Sequence, residues 1–435
     1  MKINKLALCT FLLFGMIASQ AQEKKKLSLK EAVELAITKS SVAVLANTKV
    51  ETSKLELQTM QNNQYPSMKI SGQYLRLTQA NVNSTIGNSG EPIDVSQLML
   101  AQATVNMPIF SGFKIKNSIV ASENLYKSQT FSASHTKEEV AQEVVELFAS
   151  LYQSEEMVKL FQENLKSAQQ RTKDFSAMVD NGLMARNDLL KAQLQESNIQ
   201  LSLDSANKNA NVINYQLVTL LHLPENTIID IDIETVKSDM AQSQLTTSNG
   251  QRNDLEALTL QEKASEAGIK IAKSGYFPSL SISGGYVALD LKNTLTVTNA
   301  MNVGIGISYD VASIFKNGKE VKLAKSKTEQ TKNAIAILND KIKEENHLAQ
   351  ENYALSVKQN KVYQLATEQA NENYRIVKDK YDNSLSTTND LLEADVQQLQ
   401  SKINLALSEA DIALKYYQLQ FASGKLINSF NLSTK

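Results

Sequence analysis

The sequence predicts a mainly α-helical protein that also contains four β-strands suited to a membrane. Three observations lead to this prediction. A set of segments recurs in the same order, two helical stretches of more than sixty residues contain no proline or glycine, and four short segments alternate apolar and polar residues. Apolar residues make up 42% and prolines number only 5, which favours long helices with a narrow buried stripe. The net charge of −1 provides no overall field that would draw the chain to nucleic acid.

The first residues have the character of a secretory signal, which we expect to cover residues 1–21. A start containing lysines precedes an apolar stretch over 6–17, and small residues follow, so the mature chain would begin at Gln22. The alternative, a membrane anchor, needs about twenty apolar residues, and this stretch is shorter. The single cysteine, Cys9, lies inside the apolar stretch. We therefore expect a mature chain without disulfides, thiolate metal sites or a lipid anchor on cysteine.

The chain contains an internal repeat. Tyr65–Tyr74 reads YPSMKISGQY and Phe277–Tyr286 reads FPSLSISGGY, 212 positions later. Asn187–Ala192 reads NDLLKA and Asn389–Ala394 reads NDLLEA, 202 positions later. The same elements therefore occur twice, in the order helix, proline, strand, loop, strand, long helix, tip and returning helix.

The repeat sets the expected domain organisation. We expect a first repeat over 22–224 and a second over 251–435, joined by a linker over 225–250 that is rich in Ser, Thr and Asp. The offset between the copies falls by ten positions, which a shorter loop in the second copy explains. The candidate loops are 79–97 and 290–300.

Two stretches predict very long helices. The first runs from about 113 to 179, which corresponds to roughly 100 Å of α-helix, and the second runs from about 319 to 380. A short turn and a returning helix follow each stretch, so we expect antiparallel coiled-coil hairpins with tips at about 179–187 and 381–389. The expected heptad positions are Val140, Val144, Leu147, Leu151, Ser154, Val158, Phe161 and Leu165, and then Leu392, Val396, Leu399, Ile403, Ala406, Ala410, Ala413 and Tyr417.

Four segments predict strands, at about 67–78, 98–107, 279–290 and 301–311. Each has an apolar face and a face of small and polar residues, and each is about long enough to cross a bilayer as a tilted strand. This pattern is typical of a barrel with lipid outside and water inside. The alternative is a soluble β-sandwich. Glycine and serine on the polar faces, and strands that occur only as two isolated pairs, weigh against it.

Four strands leave two open edges, which cannot stay unpaired in hydrocarbon. Neighbouring chains would have to complete the sheet. Two chains would give eight strands and a barrel filled by its own side chains, whereas three would give twelve strands and a lumen. The sequence therefore favours a homotrimer with its barrel in membrane lipid.

Four features of the sequence carry a resemblance to a known family: the segment Leu27–Ala36, the tandem halves, the Pro-Ser strand entries at 66–67 and 278–279, and the Asp-Leu-Leu tips. With these features the sequence resembles the TolC-like outer-membrane efflux family, the outer-membrane factors of tripartite exporters. The resemblance covers essentially the whole mature chain. It implies a homotrimer with a twelve-stranded β-barrel in the outer membrane of a Gram-negative bacterium and helices that extend into the periplasm. It also implies a passive exit duct for a tripartite efflux or type I secretion system. A periplasmic adaptor (membrane fusion) protein and an inner-membrane pump would open this duct at its helix tips.

The two tips are the candidate adaptor contacts. Asn-Gly at the first tip is a strong turn signal because both residues tolerate positive φ. The family usually has glycine at this place, from which the serine of the second tip departs. The alternative is an ordinary turn between helices. The expected contact residues are Asn181, Gly182, Leu183 and Met184 at the first tip, and Asn383, Ser384 and Leu385 at the second.

Acidic residues follow the tips. Asp390 and Glu393 lie three residues apart on one helix face, and in a trimer they would form rings of six carboxylates that attract cations. By the resemblance these positions match the family's acidic constriction, and Asp188 is the counterpart in the first repeat. The alternative is that Asp390 only caps its helix. The family's tip arginine, which can tie tips shut, corresponds to Ser386, so this chain departs from a lock of that form.

No arrangement for catalysis, a metal or a cofactor stands out. The three histidines lack metal-ligand spacing, and there is no phosphate-binding loop or nucleophile motif. The sequence thus predicts a channel subunit that is not an enzyme. The alternative function is a periplasmic coiled-coil adaptor or scaffold without a membrane barrel. Adaptors carry one helical hairpin, whereas this chain has two, together with paired amphipathic strands.

Overall fold

A computed structural model of the chain describes residues 24–82, 93–231, 236, 252–292 and 295–432. The expected signal over 1–21, its cleavage position and most of the linker over 225–250 lie outside these residues.

The described residues form eight α-helices and six β-strands. The first repeat contains β1 (Lys24–Leu27), α1 (Leu29–Lys39), α2 (Ser41–Asn62), β2 (Ser67–Val82), β3 (Ile93–Ser111), α3 (Lys114–Asp180) and α4 (Arg186–Leu220). After them come β4 (Ile228–Ile231), α5 (Asn253–Ser274), β5 (Ser279–Leu291), β6 (Leu295–Ser308), α6 (Ser313–Asp382), α7 (Thr388–Ala422) and α8 (Leu426–Ser429).

The two long helices contain 67 and 70 residues. Helix α6 starts at Ser313, six residues before the stretch predicted from the absence of glycine, and takes in Gly318. A single glycine costs a helix only about 1 kcal/mol relative to alanine, which a helix of this length tolerates. Among the residues described, no helix is both long and apolar enough to cross a bilayer.

The chain divides into two compact units. The first comprises Met1–Asn47, Ala133–Asn253 and Asp340–Lys435, and the second comprises Thr48–Ser132 and Asp254–Asn339.

The second unit contains an antiparallel four-stranded sheet in the order β2-β3-β5-β6. Its register aligns the apolar residues predicted from each strand. One cross-strand row is Met68, Val105, Gly284 and Val303, and the next row, on the opposite face, is Lys69, Thr104, Gly285 and Asn302. The outer edges of β2 and β6 have no partner strand within the described part of the chain.

The strands extend further than the alternation of side chains predicted. Most of the described residues of the expected loops over 79–97 and 290–300 belong to strands. The backbone ladder continues because it needs only main-chain groups, and irregularities absorb the change of phase. One such register shift lies between Arg76 and Ala80, where the sequence pattern slips. Another lies between Pro108 and Phe110, so the strand continues through Pro108 beyond its predicted end at about 107.

The first unit is built around an apolar core. Residues of α1, the middle of α3, the end of α4, β4, the end of α7 and α8 contribute to it, including Leu27, Val144, Leu217, Ile229 and Tyr416, all nearly or fully buried. Strand β1 pairs with β4 in parallel. The core therefore fixes the N-terminal segment, the start of the linker and the C-terminal helices to the middle of α3.

Helices α6 and α7 form an antiparallel hairpin with a polar seam. Asn360 Nδ2 donates to Ser408 Oγ at 2.9 Å, and Thr367 Oγ1 donates to the carbonyl of Ser401 at 3.0 Å. The rings of Tyr353 and Tyr416 meet at 6.0 Å in the same register. Buried polar pairs of this kind fix the register of a coiled coil more than they add stability.

One expected heptad residue is not in the seam. Val396 is 53% exposed. Leu391, Ala394 and Asp395 occupy the buried side of the first turns of α7 instead. The buried stripe is therefore rotated by about one residue near the tip, and the predicted and observed stripes coincide again from Ile403 onward.

Candidate functional site

The first hairpin turns through a Schellman motif. The backbone N–H of Gly182 donates to the carbonyl of Val179 at 3.0 Å, and that of Leu183 donates to Met178 at 2.8 Å. Gly182 has φ +72°, and a Cβ added there would meet none of the described atoms within 4 Å. Glycine is needed at this position for its backbone conformation and not for space.

The second hairpin turns in the same way without glycine. Ser384 N–H donates to the carbonyl of Tyr381 at 2.9 Å, and Leu385 N–H donates to Lys380 at 2.7 Å. Ser384 has φ +61°, a left-handed conformation that costs a residue with a side chain roughly 1–2 kcal/mol. At each tip an asparagine, Asn181 or Asn383, donates its side-chain amide to a helix carbonyl at 2.7 Å.

The leucines at the two turns project into solvent. Leu183 is 79% exposed and Leu385 is 76% exposed, and the turn residues beside them are exposed as well. Met184 differs from the other expected contact residues, because it is only partly exposed and packs against the apolar core of the tips. The turns therefore present two leucine side chains, whereas Met184 supports the turn from inside.

Asp390 forms a capping box at the start of α7. Its backbone N–H donates to Thr387 Oγ1 at 3.2 Å, and its carboxylate accepts from Thr387 N–H at 2.9 Å. The hydroxyls of Thr387 and Ser386 donate to the same oxygen at 2.7 and 3.0 Å. The backbone hydrogen bond from Thr387, followed by the two hydroxyl bonds, lowers the pKa of the Asp390 carboxyl below its usual value.

The other two acidic residues have different surroundings. Glu393 is exposed, and its carboxylate accepts a hydrogen bond from Gln397 at 3.3 Å. Asp188 lies in the first turn of α4, with its carboxylate 3.4 Å from Lys191 Nζ. The N-cap of α4 is Ala185, which has no side-chain oxygen for a capping box. Asp390 thus stabilises its helix start, as the capping interpretation predicts, while Glu393 makes no contact with a helix terminus.

A buried polar cluster lies behind the tips, and sequence reasoning missed it. Asp395 of α7 is 3% exposed and accepts from Arg171 of α3 at 3.0 Å and from Gln195 of α4 at 2.9 Å. Arg171 Nη1 is buried and has no hydrogen-bond partner in the described structure. Burial, followed by the charge of Asp395, raises the pKa of Tyr374 of α6 above its usual value. The ion pair joins the two hairpins, and loss of either partner would leave an uncompensated buried charge.

An apolar core surrounds this cluster. Phe175 of α3, Ala192 of α4 and Leu391 of α7 are buried together, and the rings of Phe175 and Tyr381 lie 6.0 Å apart. A groove of about 490 Å³ runs beside it, lined by residues of α3 and α6 and by Leu391. The two tips therefore form one packed assembly of four helices.

Comparisons with known proteins agree with this architecture. Residues 245–425 match the family model of outer membrane efflux proteins. The outer membrane efflux protein BepC of Brucella suis biovar 1 (strain 1330) is 21% identical over 348 residues, which cover 74% of this chain and 71% of BepC. The Campylobacter jejuni CmeC outer membrane channel superposes with a TM-score of 0.80 at 17% identity, covering 92% of this chain and 86% of CmeC. The Vibrio cholerae outer membrane protein VceC superposes with a TM-score of 0.75 at 14% identity, covering 91% of this chain and 96% of VceC.

The fold is therefore that of outer-membrane channel subunits with two helical hairpins and a four-stranded sheet. The family match over residues 245–425, together with this shared fold, confirms the resemblance to TolC-like outer membrane efflux proteins.

The two turns lead to opposite predictions for the stability of the protein. Ser384→Gly removes a side chain from a left-handed conformation and should stabilise the protein by about 1 kcal/mol. Gly182→Ser should destabilise it by a similar amount. Thermal unfolding followed by far-UV circular dichroism measures both. Gly268, inside α5, is the matched control, because Gly268→Ser has room for its Cβ and should not destabilise. A neutral Gly182→Ser would contradict this account of the turns.

The capping box generates a prediction about pH. The pKa of Asp390 is lowered in the folded state, so its contribution to stability is present above the unfolded pKa of about 3.9 and is lost as pH falls through the folded pKa. Asp390→Asn should lower the thermal midpoint at pH 7, and this difference from the wild type should shrink below about pH 4. Glu393→Gln is the control and should leave the midpoint unchanged. A difference for Asp390→Asn that is independent of pH would exclude the capping role of the charge.

Proposed function

We propose that the chain is one subunit of a homotrimeric channel in the outer membrane of a Gram-negative bacterium. In this proposal the channel is a passive exit duct for a tripartite efflux or type I secretion system and has no catalytic activity of its own. The observation that carries the proposal is the four-stranded sheet, which has an exposed apolar face and two edges that no described strand of the chain pairs with.

The apolar face of the sheet supports placement in lipid. Met301 and Val303 are 82% and 84% exposed, and Ile70, Ile305 and Ile307 are also largely exposed. They lie on one face, whereas the opposite face carries Ser, Gly, Thr and Asn at the paired positions. Transfer of apolar side chains from water to hydrocarbon is favourable, at about 25 cal/mol per Å² of surface. Hydrocarbon is the environment in which this face is stable without a protein partner.

The open edges support a closed assembly of several chains. An unpaired backbone N–H or C=O group in hydrocarbon costs several kcal/mol. Antiparallel pairing of β2 of one copy with β6 of the next satisfies both edges. With four strands per chain, three copies give a barrel of twelve. Glycine and serine on the inner face leave room for a lumen.

The relatives support the outer membrane and an export role. BepC is an outer membrane efflux protein, and CmeC is an outer membrane channel. We carry the location and the export role over to this chain on the family match together with the properties of the sheet. The energy for export would come from an inner-membrane pump.

The helix tips are the proposed periplasmic contacts and gate. Leu183 and Leu385 project from turns whose backbones are held by hydrogen bonds, so they form apolar knobs for the helices of a periplasmic adaptor. The carboxylates of Asp390, Glu393 and Asp188 follow the turns. In a trimer, rings of these groups would favour cations at the entrance. The adaptor and the pump would open the entrance by displacing the tips.

Conductance across a planar lipid bilayer tests the proposal. Insertion of the purified mature protein should give discrete conductance steps with a preference for cations. Glu393→Gln should lower that preference, measured as a shift of the reversal potential in a salt gradient, because Glu393 is exposed and has no capping role. Glu143→Gln, at an exposed position on α3, is the matched control and should leave the potential unchanged.

Two results would contradict the proposal at different levels. An unchanged reversal potential in Glu393→Gln would remove the acidic entrance and leave the channel. Absence of conductance, together with release of the protein from membranes by an alkaline wash, would favour a periplasmic adaptor or scaffold.

A further inference from the structure

One end of the sheet is where all four strands meet helices. The register pairs Ser67 at the start of β2 with Asn106, Ser111 at the end of β3 with Ser279, and Ser279 with Ser308 at the end of β6. The ends of α2 and α5 and the starts of α3 and α6 therefore adjoin this end of the sheet.

Exposed aromatic side chains mark this end. Phe315 is 84% exposed and Phe113 is 56% exposed, and Tyr65 and Phe277 are exposed as well. We name these four residues the aromatic collar. Large apolar groups therefore remain exposed at the end of the sheet where the helices adjoin it. Aromatic residues at the edge of an apolar band are typical of a membrane–water interface.

The local structure holds the aromatic collar in place. The rings of Phe113 and Phe277 lie edge-on to Phe110, at 5.3 and 6.4 Å. Gly112 has φ +61°, and a Cβ there would lie 2.5 Å from the carbonyl oxygen of Ser274, so only glycine allows this close approach. The rings of Phe113 and Phe277 therefore pack against one junction between strand and helix.

Lysines lie within four residues of three of these aromatic residues. Phe315 and Lys319 both belong to α6 and, four positions apart, share a helix face. Phe113 directly precedes α3, whose first turn carries Lys114 and Lys116, and Phe277 follows the end of α5, which carries Lys270 and Lys273. The six exposed lysines near the junction, which we name the lysine collar, are Lys114, Lys116, Lys270, Lys273, Lys316 and Lys319.

The lysine collar has an excess of positive charge. Over 113–120, 270–277 and 310–320 the sequence contains these six lysines and two acidic residues, Glu320 and Asp310, of which Asp310 accepts a hydrogen bond from the backbone of Ala312. None of the six lysines forms an ion pair with any described residue, in contrast to Lys127 further along α3, which pairs with Glu123 at 2.7 Å. The ammonium groups of the lysine collar are available to an external anion.

The two halves of the chain repeat this arrangement. Phe113-Lys114 and Phe315-Lys316 lie 202 positions apart, the offset of the tip repeat, and each pair lies where a strand leads into a long helix. The same aromatic–lysine pair therefore occurs at both exits from the sheet.

We propose that the aromatic and lysine collars bind a bilayer surface that carries anionic phospholipid headgroups. The aromatic rings lie at the level of the headgroups, and the lysine side chains reach along the protein surface so that their ammonium groups contact the phosphates. The inference rests on the proposed function, because it requires the apolar face of the sheet to lie in the membrane. It adds that the protein prefers anionic lipids at the membrane surface from which its helices extend.

Fluorescence quenching tests the inference directly. The chain contains no tryptophan, so Phe315→Trp places a single reporter in the aromatic collar. The complete channel complex is reconstituted into vesicles of zwitterionic lipid to which a headgroup-region quencher lipid is added, either anionic or zwitterionic. The ratio of the two quenching efficiencies gives the relative binding of anionic lipid at the reporter. Phe113→Trp is a second reporter in case the first variant does not assemble.

We expect quenching by both lipids and an excess for the anionic lipid. Each ammonium group at the surface should contribute about fivefold, with smaller factors when salt screens the charges. Replacing Lys114, Lys116, Lys316 and Lys319 by glutamine should lower the excess strongly, to the part that Lys270 and Lys273 contribute. The control replaces Lys166, Lys173, Lys358 and Lys361, which are also exposed, and should retain it.

The outcomes distinguish failure of the anionic-lipid inference from failure of the proposed membrane placement. Equal quenching by both lipids in the wild type, or an excess that loss of the four lysines leaves unchanged, overturns the inference while the sheet still contacts lipid. Loss of the excess on adding soluble glycerol phosphate also overturns it, because the site would then bind free phosphate and not a bilayer surface. Absence of quenching by either lipid would overturn the membrane placement itself.

Discussion

The unpaired backbone edges of the four-stranded sheet are the constraint on which the rest of this structure depends. A sheet of this size with one apolar face could bury that face inside a protein core, but Met301, Val303 and their neighbours remain exposed. Hydrocarbon stabilises this apolar face, but unpaired backbone N–H and C=O groups at the sheet edges are strongly unfavourable there. In the proposed assembly, copies of the sheet on both sides pair with these edges and complete a closed ring of strands.

The helical hairpins satisfy their backbone groups within one chain. Each turn does so through Schellman hydrogen bonds and, at α7, a capping box. The ion pair of Arg171 with Asp395, supported by Gln195, then ties the hairpins together behind the tips. Each tip thus satisfies its own backbone groups, and a few buried polar contacts join the two tips.

Local patterns in the sequence predicted much of this fold. The absence of proline and glycine gave the long helices, Asn181-Gly182 marked a turn that does adopt positive φ, and alternation placed the strand residues on the faces where the register pairs them. Each of these features depends on residues close together in the chain. The capping role of Asp390 was likewise visible as an alternative, because a capping box spans only three residues.

Features that depend on contacts between residues far apart in the chain could not be predicted from local sequence patterns. Asp395 lies 200 residues from Gln195, and nothing in the flanking sequence distinguishes it from an exposed acidic residue. Its burial, and the exposure of Val396, follow from packing of α7 against Phe175 and Ala192, which rotates the buried stripe near the tip. The strands also continue past the end of side-chain alternation, because main-chain ladders and bulges tolerate a change of phase.

The measurement that tests the central claim most directly is the mass of the mature protein extracted in detergent, obtained by light scattering with the detergent contribution subtracted. Closure of the sheet by neighbouring copies predicts three chains in every particle and no stable particle of one chain. A single chain per particle, or a monomer that stays dispersed in buffer without any amphiphile, would contradict the account.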